Sequence, residues 1–463
     1  MRIFATLSLL ICFAATPARP QPLMGKVKKI LKTQPRVHWG IYAIQAKNGK
    51  ILAKWNEDQF FVPASNTKLF STALALATLG PDFRFTTQVL AASLPDENGV
   101  LQGDLVLFGQ GDPSLSSRNY PYNIKEPWSP DRLAPLRELA RQVKARNVRT
   151  IAGNLIGDES YFDHNPIPNG WGAGDGLFEY GAPVSALSFN DNAIALKLTA
   201  TGLAFDPPIP YFTVKSAITT GERTRITARR LPGSTEITLR GTLKTDATYE
   251  NEFAVEDPAL FAALAFRAAL EAEGITIQGK TITRQEASQT PETIELARRD
   301  SPPLPQLLQV VDKVSQNLHA ELVRRAAERK QSMDDFLKAA QIDPDKETYL
   351  QDGSGLSRQN LISPRAVVAL LKHMYTSPYR DQYAAFLPIG AQDGTLRRRF
   401  AGNEKAKQVR AKTGTLSHVT ALGGYAQSKK YGDIIFQIVA NNFNQPSAEV
   451  VKTVDSLALL FTQ

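Results

Sequence analysis

The stretch VPASNTKLFSTALALATLGP, residues 62–81, decides how the rest of the chain is read. From Leu69 to Leu79 it is apolar on nearly every face, and Gly80-Pro81 then stops it as a helix is stopped. A helix that is apolar all round is a buried helix. Its first turn nevertheless carries Ser65, Asn66, Thr67 and Lys68, with the hydroxyl and the ammonium three residues apart on one face. Ser is a good N-cap and a first-turn Lys can snorkel to water. A cation at the positive end of a helix dipole is misplaced, however, and a capping box asks for Glu or Gln there. Residues 62–81 alone leave two readings open, a cap or a nucleophile beside its base.

At 463 residues the chain exceeds what one hydrophobic core organises, so two or three domains are expected. The apolar and charged fractions, 43% and 21%, are those of a soluble globular protein. The net charge of +9 is spread over a long chain, and RQVKARNVR, ERTRITARR and LRRRF read as solvated faces. No basic stripe interleaved with aromatics argues for nucleic acid.

At the N-terminus, Arg2 precedes the apolar run IFATLSLLICFAA, too short to span a bilayer comfortably, and then Thr16-Pro17-Ala18. Residues 1–18 are read as a secretory signal peptide. The only cysteine, Cys12, lies inside it, so the exported protein would be cysteine-free. Export without disulfides fits a periplasm or cell-wall space, soluble or loosely membrane-associated, and excludes thiol catalysis. No other segment is long and apolar enough for a transmembrane anchor.

VHWGIYAIQA and KILAKWN flank Asn48-Gly49, a two-residue hairpin signal. The buried helix follows. Residues 86–288 mix short strands with the amphipathic helix PDRLAPLRELARQVKAR, become almost wholly strand-and-turn over about 189–250, and close with the helix DPALFAALAFRAALEAEG. After Pro302-Pro303 the text is helical again, in LPQLLQVVDKVSQNLHAELVRRAAERK, and the chain ends in three strands and a helix. The expected organisation is α+β: a sheet-plus-helix domain of residues 19–85 and 289–463, split by a mostly β insertion at 86–288.

The five histidines are scattered, no metal-ligand spacing occurs, and no G-x-S-x-G elbow is present. FGQGDPS has Ser114 where a dinucleotide loop needs a third glycine, and reads as a turn. No cofactor and no metal are expected. A serine nucleophile then needs a proton acceptor other than histidine. A lysine serves if burial and a second cation lower its pKa. That cation is sought in Lys412-Thr413-Gly414, the only K-T-G in the chain, within the strand-like QVRAKTGTL. Gly414 lets a substrate backbone approach, and Lys412 and Thr413 can hold a carboxylate. Three S-x-N triplets begin at Ser117, Ser188 and Ser315. The first two fall in the insertion, whereas Ser315-Gln316-Asn317 stands between two helical runs of the terminal domain and is preferred.

Ser65-Asn66-Thr67-Lys68, Ser315-Gln316-Asn317 and Lys412-Thr413-Gly414 resemble, in order, the three motifs of the penicillin-recognising serine enzymes. With the long insertion and the landmarks GQGDPSL, GDESYFD, YGAPVSALSFNDN, DGSGLSR and LPIGAQDGTLRRRF, the chain is similar to the D-alanyl-D-alanine carboxypeptidase/endopeptidase family, the class C low-molecular-mass penicillin-binding proteins. The resemblance implies a penicillin-binding transpeptidase-like fold, with an antiparallel sheet flanked by helices. It implies acylation by β-lactams and hydrolysis of peptidoglycan stem peptides through an acyl-enzyme on Ser65. Lys68 would take the Ser65 proton, and Ser315 would relay a proton to the leaving amine. Asn317 would bond substrate backbone and Lys68, and Lys412, Thr413 and Thr415 would bind the terminal carboxylate. The backbone N–H groups of Ser65 and Thr415 would form the oxyanion hole.

The resemblance also implies that Asp158 and Phe162 reach over the cleft toward a peptide amine and that Arg358 meets a peptide carboxylate, although a strand-end Asp in a turn and a structural Arg fit the same text. Ser417, where some relatives carry a larger polar residue, leaves side-chain preference open. Two rivals are a serine β-lactamase, against which stands the absence of an E-x-x-x-N motif, and a non-catalytic wall-binding scaffold, against which stands the full set of motif residues.

Overall fold

The computed structural model describes residues 21–289 and 292–463. The signal peptide expected over residues 1–18, with Cys12, lies outside the described residues. The fold is α+β, and its two ends meet in one sheet. The strands, edge to edge, are Val409–Leu416, Val419–Ser428, Gly432–Asn441, His38–Gln45 and Ile51–Trp55, and every pair is antiparallel. The hairpin at Asn48-Gly49 forms, with Gly49 in the left-handed region at φ 70°. Its loop is four residues rather than two. Gln45 N–H bonds Lys50 O, while Ala46 N–H is drawn to Asp433 O on the neighbouring strand, so the hairpin cannot tighten further.

Strand alternation sends side chains to two faces. Ile434, Phe436 and Ile438 join a core with helix α1 (Met24–Leu31) and the C-terminal helix Ser447–Leu460. Ile435 and Ile44 face the opposite core, built on α2 (Lys68–Leu79) and the helix Pro364–Thr376. Every residue of α2 from Lys68 to Leu76 is buried, and Gly80 ends the helix at φ 82°, which glycine adopts without the cost a Cβ carries.

Between these ends a second sheet runs Thr281–Arg284, Leu155–Asp158, Leu105–Gly109, Thr86–Ala91 and Ile294–Asp300. Helices α3 (Ala134–Ala145) and α4 (Pro258–Ala272) pack on it through Leu136, Leu139, Val143, Phe261 and Phe266. Asp257 caps α4 by accepting from Leu260 N–H at 2.9 Å. Ile294–Asp300, grouped from sequence with the terminal domain, pairs with Thr86–Ala91 and belongs to this sheet. Residues 193–254 make two three-stranded sheets, one of Tyr249–Ala254, Ala193–Thr199 and Gly202–Asp206, the other of Thr213–Thr220, Glu236–Leu243 and Arg225–Arg229. After the Pro302-Pro303 break come α5 (Leu304–Lys313) and α6 (Asn317–Glu328), separated by 314–316.

Two basic clusters are not wholly solvated as expected. Arg230 of ERTRITARR is nearly buried against Glu256, and Arg399 of LRRRF forks onto Asp455.

Candidate active site

The turn that carries Ser65 is a single 3₁₀ turn, Ala64–Thr67, leading into α2. Ala64 sits at φ 48° and Ser315 at φ 67°, both in the left-handed region that a Cβ disfavours. Each holds roughly 1 kcal/mol of backbone strain or more, sustained only because the surroundings over-determine it. Two glycines do this at Ala64. A Cβ on Gly355 would lie 1.9 Å from Ala64 O, and one on Gly414 would lie 2.6 Å from Pro63 O. The turn is therefore wedged between the DGSG loop and the K-T-G strand. Asn66, to which the sequence assigned nothing, stitches it in place: its Nδ2–H bonds Lys412 O at 2.8 Å, and its Oδ1 accepts from Gln437.

The structure brings Ser65, Lys68, Ser315, Asn317 and Lys412 into one cluster. Lys68 Nζ is within hydrogen-bond distance of Asn317 Oδ1 at 2.5 Å, Ser354 O at 2.6 Å and Ser65 Oγ at 3.1 Å. The first two are carbonyl oxygens that can only accept. A neutral amine spends its two N–H bonds on them, so its lone pair is left pointing at the Ser65 hydroxyl. Lys68 is fully buried, and its pKa is lowered from 10.5 to about 7, by burial first and by the Lys412 charge second. Asp352, Glu321 and Asp312 act in the opposite sense.

Lys412 Nζ donates to Ser315 Oγ at 2.8 Å and to Thr413 O at 2.9 Å. The Ser315 oxygen thus accepts from an ammonium and keeps its own proton to give away. Burial lowers the Lys412 pKa to about 8. Asp312, buried on α5, is pushed up to about 7 by burial and accepts from Thr72 Oγ1 at 3.1 Å. Thr413 Oγ1 donates to Thr395 Oγ1 at 2.8 Å, so GAQDGTL serves to orient the K-T-G strand. Thr415 is exposed at the end of that strand.

Behind Lys68 stands a support that sequence reading missed. Glu321, buried on α6, accepts from Gly353 N–H and Ser354 N–H at 2.8–3.0 Å and so aims the Ser354 carbonyl at Lys68. Burial raises the Glu321 pKa to about 7. The landmark DGSGLSR held the signal for Ser354, but nothing in the helical text of α6 marked Glu321. A second support is Asp191, in the landmark YGAPVSALSFNDN. Asn190, Asp191 and Asn192 lie at φ 50°, 55° and 53°, a left-handed turn that points the Asp191 carboxylate at Arg118, Gln316 and His319. Gln316 is the central residue of the S-x-N loop. Arg118 and Asn190 belong to the two rejected triplets, so these serve as scaffolding for the third.

The insertion residues sit differently. Asp158 is buried at the end of its strand, accepting from Ser160 N–H at 2.9 Å and from Arg284 at 3.1 Å. It is outside the Ser65 cluster, and an incoming amine would share its carboxylate with that guanidinium. Phe162, expected to reach over the cleft, instead packs in the α2 core against Gly111, where a Cβ would come within 2.6 Å of its ring. Burial of the ring outweighs exposure at a cleft rim. Arg358 is exposed and donates to Ser417 O at 2.6 Å, beside the end of the K-T-G strand. GQGDPSL is a turn: Asp112 accepts from Ser114 N–H and pairs with Arg299. Among the described residues no His, Cys, Asp or Glu group is arranged to hold a metal ion, and no helix is long and apolar enough to cross a membrane.

Residues 23–460 match the D-Ala-D-Ala carboxypeptidase 3 (S13) family. The chain is 30% identical over 452 residues to a D-alanyl-D-alanine carboxypeptidase of Actinomadura sp. (strain R39), covering 91% of this chain and 80% of that one. It is 25% identical over 434 residues to D-alanyl-D-alanine carboxypeptidase DacB of Haemophilus influenzae, covering 89% and 86%. The crystal structure of penicillin binding protein 4 (dacB) from Haemophilus influenzae matches with a TM-score of 0.80 at 24% identity, over 94% of this chain and 99% of that chain. A second structure of that protein, complexed with a β-lactam, matches at 0.75 and 22% identity, over 95% and 100%. The penicillin-binding fold expected from the motifs is the fold observed.

Proposed function

The chain belongs to the D-Ala-D-Ala carboxypeptidase 3 (S13) family, and on that premise we propose how the Ser65 cluster carries the family's serine-type hydrolysis in this protein. It is a serine D-alanyl-D-alanine carboxypeptidase. The observation that carries the residue assignment is the Lys68 amine, fully buried, lowered to about 7, and bonded so that its free lone pair meets Ser65.

In acylation, Lys68 takes the Ser65 proton as Oγ bonds the carbonyl carbon between the two D-alanines, and the N–H groups of Ser65 and Thr415 receive the developing oxyanion. The C–N bond breaks, and the Ser315 hydroxyl, polarised by Lys412, hands its proton to the departing amine while the proton held by Lys68 replaces it, so that Lys68 is neutral again. Lys412 and Thr413 hold the terminal carboxylate, with Arg358 within reach of a longer substrate. Water then cleaves the ester and restores the Ser65 proton. β-Lactams enter by the same route and stall at the acyl stage. Wall-peptide hydrolysis of this kind supports the reading of an exported protein with a leader at residues 1–18. We also assign residues 86–300 to the insertion and residues 21–85 and 301–463 to the catalytic domain.

Labelled penicillin tests this directly: it acylates Ser65 with an adduct lasting hours, and Ser65→Ala abolishes labelling with the circular dichroism unchanged. Labelling that persists in a folded Ser65→Ala protein overturns the assignment.

A further inference from the structure

The segment ERTRITARR, read from sequence as a solvated face, lines a cavity of about 640 Å³ that the hydrolytic cluster does not use. One wall is the sheet Thr213–Thr220, Glu236–Leu243, Arg225–Arg229. Alternation along its central strand buries Ile237 and Leu239 and turns Glu236, Thr238 and Arg240 to the cavity. Register places Arg229 opposite Thr238 and Thr227 opposite Arg240, so Arg229 and Arg240 are diagonal neighbours on this face. The other wall is the segment from Ile167 to Leu177, with Trp171 and a run of glycines.

The charges in this cavity are unevenly satisfied. Glu236 is held by Lys215 at 2.7 Å and Glu256 by Arg230 at 2.8 Å. Arg230 also donates to Gly176 O at 2.5 Å, which fastens the two walls together. Arg229 and Arg240 are exposed and have no partner among the described residues. At the mouth, Leu231 is 77% exposed and Ile167 46% exposed. Two free guanidiniums beside exposed apolar side chains suit a chain that alternates carboxylates with aliphatic groups.

The cavity is tied to the catalytic loops. Trp171 donates its indole N–H to Asp352, the residue that shapes the DGSG loop, at 2.9 Å. A Cβ on Gly170 would lie 2.3 Å from Ser357 Oγ. Asn317 Nδ2–H bonds Tyr180 O at 2.7 Å. The segment from 170 to 180 therefore touches both the DGSG loop and the S-x-N loop while forming a cavity wall on its other side.

We propose that this cavity is a second binding site, which takes a carboxylate-bearing peptide stretch of the wall substrate away from the scissile bond, with Arg229 and Arg240 as its anion contacts. The proposal rests on the wall-peptidase reading above. Cross-linked substrate would engage both sites at once, whereas a short D-Ala-D-Ala peptide or a penicillin would engage only the first.

The test uses full-length Ser65→Ala protein, with and without Arg229→Gln and Arg240→Gln, and four probes measured by calorimetry: a cross-linked muropeptide dimer with free carboxylates, the same dimer amidated, an acetylated tripeptide ending in D-Ala-D-Ala, and poly(glycerol phosphate). The double substitution should raise the Kd of the free-carboxylate dimer about tenfold or more, and leave the amidated dimer and the tripeptide unchanged. In the Ser65 background it should leave penicillin acylation unchanged, which also certifies the fold. Equal binding of the free and amidated dimers, or no effect of the substitutions on the former, overturns the proposal. A tenfold loss seen only with poly(glycerol phosphate) overturns it in favour of a phosphate polymer. Failure of the unsubstituted protein to label with penicillin would instead strike the hydrolytic reading, and is scored separately.

Discussion

Lowering the pH from 7 to 5 should slow acylation of Ser65 about fiftyfold. With the Lys68 amine at about 7, about half the molecules carry it neutral at pH 7 and about one in a hundred at pH 5. An amine left at 10.5 would be neutral in only about one molecule in three thousand at pH 7. Burial and the second cation thus raise the reactive population by about a thousandfold, equivalent to roughly 4 kcal/mol of barrier. The assay is the second-order rate of acylation by a chromogenic penicillin, with circular dichroism at each pH to confirm folding. The logarithm of the rate should climb with unit slope to about pH 7 and then level. Above about pH 8 it should decline as Lys412 loses its charge and its hold on the carboxylate. Lys412→Met removes the smaller of the two causes. Its acid limb should move up yet stay well below 10.5, because burial remains, and its alkaline limb should vanish. A unit slope continuing to pH 10 in the unsubstituted protein, or a flat profile from 5 to 8, refutes the lysine-base reasoning.

Glu321→Gln keeps the shape but leaves an amide NH₂ facing backbone N–H groups, so the Ser354 carbonyl loses its aim. Acylation should fall about tenfold or more, since a bond to a buried charge is worth roughly 1.5–3 kcal/mol, and an unchanged rate would show that the DGSG loop holds itself. Gly355→Ala drives a Cβ into Ala64 O from a backbone at φ 82°, so thermal stability and penicillin labelling should drop together. Labelling at the normal rate would mean that the nucleophile turn is not wedged there. Asp158→Asn should reduce kcat/KM for a diaminopimelate-bearing peptide and spare penicillin acylation if Asp158 meets the amine. Equal losses on both would confine it to the strand end and Arg284.

The catalytic cluster was legible because its members belong to short contiguous motifs. Ser65 and Lys68 are one helical turn apart, Ser315 and Asn317 frame a break between two helices, and Lys412 to Gly414 lie within one strand, so local spacing already puts each group on a common face. The all-apolar text of α2 likewise sufficed to bury it. The supports were not legible, because each is a single residue whose partner is remote in sequence. Glu321 finds Gly353 and Ser354 thirty-odd positions away, and Asp191 finds His319 at a separation of 128. A buried acid on a helix looks like any other helical Glu until the fold supplies the N–H groups around it.

What the sequence by itself determined was therefore composition and element type: a serine and a lysine one turn apart at the head of a buried helix, an α+β domain split by a β-rich insertion, and the order of the motifs. Only the tertiary structure decided which charges are free. Arg230 is buried with Glu256 while its neighbour Arg229 has no partner among the described residues, Phe162 is core rather than rim, and residues 294–300 join the insertion sheet. The physical reason is the same in each case. Burial and pairing depend on what packs against a residue from elsewhere in the chain, and the desolvation that lowers the Lys68 pKa is a property of the closed cluster, carried by no residue alone.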